Sequence, residues 1–484
     1  MNSRAVLLIN PPRINGCSWT REGRCQEKED VLGTAKPPIS LALIASLLRE
    51  NNIKFKLVDA TALDLSPAKV SNLLIESRFH PDVIIFCTTT ATVLADTDSV
   101  SMLKKKFNSK LIAFGAHISG APKETLEKVS DIDIGIIGEP EYTILDILGK
   151  DDFANLDKIH GIAWRNGDKI FVNKNRAWIE DLNQLPLPAW ELLPIEKYVL
   201  PFINKKYLMV ETSRGCPFAC DFCVASLNHG TRFREKRPET VVNEIEDLKK
   251  KFNIKNFNLF GDTVTLDKKF VEKFCDELIK RRLDIRWLTN TRADTLCDPD
   301  LVKKMKESGC WMLSVGIESY NEKTRNNMQK KLETDKITEA IGLLRKTGIL
   351  SFGFFIYGYP GETEQDMYET TRFALSLPLD YANFYPAVPY PGTAFYDKCV
   401  SDGSLYQNSW NKMEYSFYII KTKELNETVV KKAISHAYLS FYLRPRFISR
   451  HIRNMGPINF FRGSIKYGVK FLIKNLKDTK INET

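Results

Sequence analysis

The amino-acid sequence predicts an α/β protein with two successive parallel sheets. Two observations lead to this fold class. Short apolar runs alternate with helical stretches over residues 1–150 and again over 205–395, and the runs of the second region end in polar, charged or glycine residues. Such alternation is typical of parallel strands joined by helical crossovers. We therefore expect a doubly wound domain at 1–150, a linker at 151–204, a partial (β/α)6 barrel at 205–395 and a helical, basic extension at 396–484.

The composition is that of a globular protein. The chain has 484 residues, of which 43% are hydrophobic and 27% charged, which is typical of folded domains. No apolar run is long enough to span a membrane, and the apolar stretch near the N-terminus is too short for a signal peptide. We therefore expect a cytoplasmic protein, in which the ten cysteines do not indicate a disulfide framework.

The first region contains five strand-like runs with helical stretches such as Ser40–Glu50 and Ser99–Phe107 between them. Open parallel sheets bind ligands at the carboxyl ends of their strands. Glycines, small hydroxyl residues and an acid follow three of these runs, which predicts a polar crevice suited to the rim of a large planar cofactor. The runs are Ala5–Ile9, Phe55–Val58, Val83–Cys87, Leu111–Phe114 and Ile132–Ile137.

The linker carries a hairpin pattern followed by a proline-rich connector. Asn166-Gly167 separates two apolar runs within Gly161–Val172, and this dipeptide favours a tight hairpin turn. The connector, Asp181–Trp190, contains two prolines and is expected to be extended.

The second region contains six strand-like runs. Barrel strands carry their functional residues at their carboxyl ends, so the polar and glycine residues at these ends are candidates for a site. The runs are Tyr207–Glu211, Asn256–Phe260, Ile285–Thr289, Trp311–Ile317, Ser351–Tyr357 and Ala382–Pro386.

Three cysteines follow the first of these strands. Cys216, Cys220 and Cys223 are spaced C-x3-C-x2-C. Three thiolates can ligate three corners of a 4Fe-4S cube and leave one iron open for the amino and carboxylate groups of S-adenosylmethionine (SAM). A zinc knuckle is the alternative, but zinc sites usually add a second C-x2-C half and a fourth ligand, and no second half lies nearby. The spacing, with Phe222 before the third cysteine, resembles the signature of the radical SAM superfamily.

Later strand ends extend this resemblance. Gly261-Asp262 is similar to the superfamily's SAM-amino motif, although the usual sequence is Gly-Gly-Glu. Glu318 matches an acidic residue that binds the SAM ribose, and Gly358 falls in a motif near the adenine. Asn290 and Arg292 can supply polar contacts, Arg292 as a fork of donors for a carboxylate. The resemblance thus implies these SAM-binding residues: Phe222, Gly261, Asp262, Thr263, Asn290, Arg292, Glu318 and Gly358.

The first region resembles the cobalamin-binding domain at the N-terminus of one radical SAM class. Ala113–Pro122 and Gly138–Glu141 match the strand-end motifs of that domain. The Asp-x-His-x-x-Gly motif is absent, because the chain has Asp59-Ala-Thr61 at the corresponding place. His117 fits a cofactor contact and a buried structural histidine equally well. The implied cobalamin-binding residues are Thr88, Thr89, Gly115, His117, Ser119, Gly138 and Glu139.

Within this class, Trp19–Cys25 and Lys36–Ala45 are similar to the branch of the anaerobic magnesium-protoporphyrin monomethyl ester cyclase and hopanoid-associated enzymes. The resemblance implies an enzyme that cleaves SAM reductively and modifies an unactivated carbon of a hydrophobic, lipid or tetrapyrrole-like substrate, chiefly by methyl transfer. It also implies a low-potential electron donor such as ferredoxin or flavodoxin. Alternatives are an oxidative cyclase, a tRNA methylthiotransferase using Cys17, Cys25 and Cys87, and a non-catalytic cobalamin- or cluster-binding regulator.

Two further features remain open. Aromatic residues near the last barrel strand fit either a substrate cavity or ordinary barrel packing: Tyr381, Phe384, Tyr385 and Tyr390. The segment 440–484 holds ten Lys or Arg against Asp478 and Glu483, so most of the formal net charge of +10 lies there. Its basic amphipathic pattern fits a membrane surface or a helix that covers the barrel. Because the rest of the chain is nearly neutral, we expect no nucleic-acid partner.

Overall fold

The computed structural model describes residues 4–23, 28, 35–150, 153–200, 203, 205–406, 409–445 and 447–449. These residues form two seven-stranded sheets and one two-stranded ribbon. The amphipathic pattern predicted at 459–476 lies outside the described residues. None of the helices in the described part of the chain is both long and apolar enough to cross a bilayer.

The first sheet has the strand order β2-β1-β3-β4-β5-β6-β7, with β1 to β5 parallel. β1 and β3 are buried over their whole length, as expected for strands covered on both faces. These strands are β1 Val6–Asn10, β2 Phe55–Asp59, β3 Val83–Cys87, β4 Lys110–Phe114, β5 Ile134–Ile136, β6 Ile162–Asn166 and β7 Lys169–Val172. The helices are α1 Ile39–Glu50, α2 Pro67–Glu76, α3 Val93–Phe107, α4 Ala116–Gly120, α5 Pro122–Lys128 and α6 Glu141–Leu148.

Most elements of the first sheet lie within one residue of the predicted limits, but α3 and β5 differ by more. α3 begins at Val93, six residues before the predicted start. The sequence prediction missed its first turns because they bury the polar residues Asp96 and Thr97, which interrupt the apolar periodicity. β5 covers only the centre of the predicted run.

The predicted hairpin is present and extends the first sheet. Asn166 of β6 pairs with Lys169 of β7, and β6 pairs antiparallel with β5. Gly167 has a positive φ of 59°, as a tight hairpin turn requires. A short strand further along the predicted linker, β8 Val199–Leu200, instead joins the second sheet. The segment between the two α/β units therefore contributes strands to both sheets.

The second sheet has the order β16-β15-β14-β13-β12-β9-β8. Its six strands from β9 to β16 are parallel, which confirms the partial barrel. The strands are β9 Lys205–Glu211, β12 Asn256–Phe260, β13 Arg286–Thr291, β14 Cys310–Glu318, β15 Leu350–Tyr357 and β16 Tyr381–Pro386, and the separate ribbon consists of β10 Ser213–Arg214 and β11 Arg234–Glu235. The helices are α7 Ala225–His229, α8 Pro238–Phe252, α9 Lys268–Lys280, α10 Pro299–Glu307, α11 Glu322–Asn327, α12 Thr334–Thr347, α13 Glu364–Ser376, α14 Ala394–Ser401 and α15 Glu427–Tyr442.

Helix α15 covers the open edge of the barrel at β16. The Tyr442 hydroxyl oxygen accepts a hydrogen bond from the backbone N–H of Ala382 at 3.2 Å, and the Tyr438 hydroxyl oxygen accepts one from Phe384 N–H at 3.2 Å. An uncovered edge strand exposes such groups to pairing with other chains. The helical segment after residue 396 therefore completes the barrel.

The two α/β units share a hydrophobic core. Ile118 of α4 belongs to the same buried cluster as Val224, Val388, Tyr390 and Trp410, which follow barrel strands or belong to the C-terminal segment. This contact brings the carboxyl edge of the first sheet towards the cysteine loop and the end of β16.

Candidate active site

The cysteine loop, residues 215–233, begins after β10 and ends before β11. Gly215 has a φ of +81°, and a Cβ there would lie 2.1 Å from the carbonyl oxygen of Arg232, so only glycine fits. The backbone N–H of Cys216 donates to the carbonyl oxygen of Gly230 at 3.3 Å. The loop is thus closed on itself before any metal binds.

The three thiols suit a cluster better than a single ion. Cys216, Cys220 and Cys223 are free thiols, and among the described residues no three His, Cys, Asp or Glu side chains converge closely enough to hold one metal ion. In a 4Fe-4S cube each thiolate binds a different iron, so the thiols need not meet at a point, whereas zinc requires its ligands around one centre. The donor set therefore fits a cluster.

Cationic groups surround the second cysteine. Burial raises the pKa of the Cys220 thiol, and the positive charges of Lys330 and Arg292 oppose that shift. Cations near a thiol favour the thiolate, which is the form that ligates iron. The positive charges of Lys330 and Arg292 therefore favour the thiolate form of Cys220, which is the form that would bind iron.

Asp221, between the second and third cysteines, anchors the loop to the barrel. Its backbone N–H donates to Met328 O at 3.1 Å, and its carbonyl oxygen accepts from the N–H of Phe395 at 3.0 Å. The hydroxyl of Tyr359 donates to its carboxylate. The sequence reasoning did not identify Tyr359, which follows the Gly358 of a predicted motif and is buried.

A cavity at the carboxyl ends of the barrel strands brings most of the predicted SAM residues together. Its lining combines polar and charged side chains, Cys223 of the cysteine loop, and apolar and aromatic side chains. Predicted residues in its lining are Phe222, Cys223, Asp262, Thr263, Asn290, Arg292, Glu318, Tyr385 and Tyr390; further lining residues include Ser314, Lys330, Phe354, Ile356, Tyr359, Val388 and Tyr415.

Glu318 and Lys330 form a buried ion pair in this cavity. Lys330 Nζ lies 2.8 Å from Glu318 Oε1, and both side chains are less than one-tenth exposed. A Cβ at Gly316 would lie 2.6 Å from Glu318 Oε1 and 2.7 Å from Lys330 Nζ. Glu318 Oε2 has no hydrogen-bond partner among the described residues. Lys330 was missed because it belongs to a loop after α11 and has no strand-end position to mark it.

Arg292 is held so that one of its N–H groups remains available. Its Nε and Nη2 donate to Asp294 at 3.0 and 2.9 Å, and Nη2 also donates to Lys330 O at 3.0 Å. The guanidinium carbon lies 3.7 Å from the centre of the Phe218 ring. Nη1 is buried without a partner in the described structure, so it suits a ligand carboxylate.

Asp262 has a second role in the loop. Its Oδ2 accepts from the N–H of Gly215 at 2.9 Å and lies 3.1 Å from His229 Nδ1. The two glycines predicted to bind SAM, Gly261 and Gly358, do not line the cavity. A Cβ on Gly261 would lie 2.4 Å from Ser213 Oγ, and one on Gly358 would lie 2.6 Å from the Tyr418 side chain. Their lack of a side chain permits close packing behind the site.

The aromatic set near β16 divides in two. Tyr385 and Tyr390 line the cavity, and Tyr385 stacks on Tyr415 with ring centres 4.4 Å apart. Phe384 instead packs against Phe355 at 5.2 Å on the helix-covered face. Alternation along the strand accounts for the opposite positions of Phe384 and Tyr385; a role of the cavity residues in substrate binding stays a prediction.

At the first sheet, the threonines after β3 are engaged with each other and with a buried ion pair. Thr88 Oγ1 donates to Asp96 Oδ2 at 2.9 Å, and Thr89 Oγ1 lies 3.0 Å from Thr92 Oγ1. Arg21 pairs with Asp96 at 2.5 Å. Its Nη1 donates to Thr61 Oγ1 at 3.0 Å, so a threonine held by an arginine stands where the missing histidine would fall.

His117 is fully buried on the carboxyl side of β4. Its Nδ1 lies 3.3 Å from Thr90 Oγ1, and its ring meets Trp410 edge-on at 4.3 Å. Burial, and then the charge of Lys128, lower its pKa to about 3, so the ring is neutral. Its Nε2 has no partner among the described residues, and the hydroxyls of Thr97 and Ser101 share this property.

The remaining predicted residues of this region have structural contacts. A Cβ on Gly115 would lie 2.3 Å from Thr88 O, and one on Gly138 would lie 2.9 Å from the Trp178 ring. Ser119 Oγ accepts from the N–H of Gly138 at 3.0 Å. The carboxylate of Glu139, expected at the cofactor crevice, is instead engaged by Arg234 at 2.9 Å.

Cys87 does not behave as a cluster ligand. Its thiol donates to Arg21 O at 3.1 Å, and burial raises its pKa well above the ordinary value. Cys25 lies outside the described residues. This geometry disfavours a second cluster in the first domain, which the methylthiotransferase alternative requires.

An α/β domain followed by a partial barrel, with three free cysteines after the first barrel strand and a polar cavity beside them, defines a class of enzyme that binds an iron–sulfur cluster and SAM. Residues 210–374 match the model of the Radical SAM superfamily. An uncharacterized methyltransferase of Pyrococcus horikoshii is 32% identical over 93% of this chain and 95% of its own length. The chain belongs to the radical SAM superfamily and is an enzyme.

Other relatives and structures agree with this placement. The anaerobic magnesium-protoporphyrin IX monomethyl ester cyclase of Rubrivivax gelatinosus is 27% identical, over 85% of this chain and 75% of its own. The fold matches the radical SAM methyltransferase TsrM from Kitasatospora setae, solved with cobalamin and a 4Fe-4S cluster, with a TM-score of 0.66 at 15% identity over 83% of this chain and 76% of that one. The cobalamin-dependent radical enzyme OxsB matches with a TM-score of 0.73 at 15% identity, over 95% and 72%.

Proposed function

We propose that this enzyme cleaves SAM reductively at a 4Fe-4S cluster held by Cys216, Cys220 and Cys223, and that it uses cobalamin on its first domain to methylate a carbon of an apolar substrate. The observation that carries the proposal is the cavity, whose lining combines the third cysteine, a set of charged SAM-type residues and several aromatic side chains. The Pyrococcus relative, named a methyltransferase, supports methyl transfer.

In this proposal, different residues of the cavity bind different parts of SAM and of the substrate. Arg292 Nη1 is available for the carboxylate of SAM, and Glu318 Oε2 is available for a hydroxyl donor. The rings of Tyr385, Tyr390 and Tyr415 give the lining an aromatic surface that excludes water from the substrate. When bound, the cluster supplies the electron that splits the sulfonium, and cobalamin supplies the methyl carrier.

Support for cobalamin comes from buried polar atoms that have no hydrogen-bond partner within the described part of the chain. His117 Nε2, Thr97 Oγ1 and Ser101 Oγ are such atoms, and buried polar atoms are normally satisfied. α3, which carries both hydroxyls, packs against the turn Trp410–Lys412, whose Trp410 contacts His117. Cobalamin, whose rim is rich in amides, can supply donors and acceptors to atoms of this kind.

We expect His117→Phe to lower cobalt retention with iron content unchanged. The phenyl ring keeps the packing against Trp410 but removes Nε2 as a partner, so the protein should retain less than about one-third of the wild-type cobalamin, as expected for one lost hydrogen bond. Cobalt and iron are measured by metal analysis after desalting. Thr125→Val is the matched control, because its buried hydroxyl already donates to Ala121 O within α5. Equal cobalt retention in both variants would contradict a cofactor contact at His117.

An oxidative cyclase is the second candidate, and the similarity to the Rubrivivax cyclase favours it. Methyl transfer produces S-adenosylhomocysteine and a product heavier by one methyl group. Cyclisation produces neither S-adenosylhomocysteine nor this gain, while reductive cleavage of SAM releases 5'-deoxyadenosine in both reactions. Mass spectrometry of both products separates the two reactions.

The partners follow from the same chemistry. We propose a ferredoxin- or flavodoxin-like protein as the low-potential electron donor, and an apolar small molecule or lipid as substrate. The basic pattern of the C-terminal segment supports a peripheral contact with an anionic membrane, made from the cytoplasmic side. Flotation of the full chain with anionic and neutral vesicles tests this contact.

The first experiment is anaerobic reconstitution with iron, sulfide and hydroxocobalamin, followed by metal analysis of the desalted protein. We expect about four irons, the content of one cube, and one cobalt. Four irons without cobalt would refute the cobalamin part and leave a radical SAM enzyme. About eight irons, the content of two such clusters, would instead favour the methylthiotransferase.

A further inference from the structure

The cysteine loop is closed at its base by a short ribbon that carries two arginines. β10 and β11 pair antiparallel, with Arg214 directly opposite Arg234. All three cysteines lie between these two residues. The position of the arginines therefore sets where the loop leaves the barrel.

Both arginines bind one carboxylate that belongs to the first domain. Arg234 Nη1 lies 2.9 Å from Glu139 Oε1, and Arg214 Nη1 lies 3.3 Å from the same oxygen. The second oxygen, Oε2, accepts from the backbone N–H of Ile179 at 2.7 Å. All three charged side chains are at most 4% exposed, so solvent cannot replace these contacts.

The arginines differ in how far they depend on Glu139. Arg214 also pairs with Glu141 at 2.6 Å and with Glu211 at 2.8 Å. The other described contacts of the Arg234 guanidinium nitrogens are to backbone carbonyl oxygens, including that of His229 within the cysteine loop at 2.5 Å. Among the described residues Glu139 is the only carboxylate that forms an ion pair with Arg234, so its loss would leave a buried cation without an ion-pair partner, which is strongly unfavourable.

We propose that Glu139 is a positioning residue for the cluster: a carboxylate of the first domain that clamps the base of the cysteine loop and thereby fixes Cys216 relative to the SAM cavity. This inference rests on the assignment of residues 215–233 as the cluster loop. It accounts for the buried contacts that this acidic residue of a first-domain motif makes with two arginines of the barrel. It also makes the cluster geometry depend on docking of the first domain.

The test uses Glu139→Gln in the full chain, first without metal. Cys216 is only 7% exposed, so its alkylation rate reports opening of the loop. We expect alkylation of Cys216 to be at least about tenfold faster in the variant, because an unpaired buried charge shifts an opening equilibrium by more than that. The rate is followed by mass spectrometry, with Cys297, which is partly exposed, as internal reference.

Asp380→Asn is the matched control. Asp380 is equally buried, accepts from Ser351 N–H at 2.9 Å and lies at the opposite end of the barrel strands. If Glu139 only stabilised the whole fold, the two variants would accelerate Cys216 alkylation in proportion to their losses of thermal stability. That outcome, or an unchanged rate in Glu139→Gln, would overturn the proposal.

The reconstituted protein gives a second measurement. We expect Glu139→Gln to retain its iron but to show an altered electron paramagnetic resonance spectrum of the reduced cluster with SAM, and about tenfold slower SAM cleavage per cluster, the scale expected for a small displacement of reacting groups. An unchanged spectrum would contradict the clamp. Failure of the wild type to bind iron would instead refute the proposed function. The alkylation experiment needs no metal, so it would still test whether Glu139 holds the loop.

Discussion

Replacement of any one of Cys216, Cys220 or Cys223 by alanine should reduce SAM cleavage to background. In the proposed cluster each thiolate would bind a different iron of the cube, so removal of one would leave two protein ligands and an unstable cluster. We expect the iron content after desalting to fall well below that of the wild type. The measurements are metal analysis and the anaerobic release of 5'-deoxyadenosine with a chemical reductant.

Cys297→Ala provides the control for this experiment. Cys297 lies in the same barrel but outside the cysteine loop, and its thiol donates to the carbonyl oxygen of Ala293 at 3.6 Å. It should keep wild-type iron and activity. Full SAM cleavage in any one of the three loop variants would remove the basis for the cluster assignment.

The apolar runs of the sequence predicted most of the strands, because strands of a parallel sheet that is buried on both faces are largely continuous apolar runs. Val83–Cys87, which is apolar and buried throughout, has the same limits in the sequence prediction and in the structure. α3 was placed too late because its early polar residues face inward, where Arg21 pairs with Asp96. A pattern of apolar residues cannot show a helix face that is buried through an ion pair.

The candidate site was predictable where residues follow strands and unpredictable where loops fold back. Glu318 and Arg292 lie at strand ends and line the cavity together. Lys330 reaches the same cavity from a loop twelve residues beyond its partner, and nothing in its local sequence indicates that contact. Glu139 shows the opposite case: its motif position indicated a site residue, but its partners come from the barrel.

Glu318→Gln should weaken SAM binding by roughly ten- to a hundredfold, the effect of losing one hydrogen bond to a charged group. The carboxylate lies in the cavity at the end of β14, with Oε1 bound to Lys330 and Oε2 available to a ligand. The amide that replaces it has no charge and only one acceptor oxygen. Equilibrium binding of SAM to the reconstituted protein measures the change, while the iron content should stay at the wild-type level.

The same substitution leaves Lys330 buried beside a neutral group, which destabilises the fold by about 3–5 kcal/mol in typical buried pairs. A loss of binding could therefore follow from partial unfolding. The double variant Glu318→Gln with Lys330→Met separates the two causes, because it removes both charges and should regain most of the thermal stability. We expect the double variant to bind SAM as weakly as the single variant.

Glu322→Gln is the control. Glu322 is an exposed carboxylate on α11 that pairs with Arg325 at 3.3 Å, and its replacement should leave SAM binding normal. If the double variant regained wild-type affinity, Glu318 would serve only to neutralise Lys330, and the SAM ribose would have to be bound by other residues of the cavity.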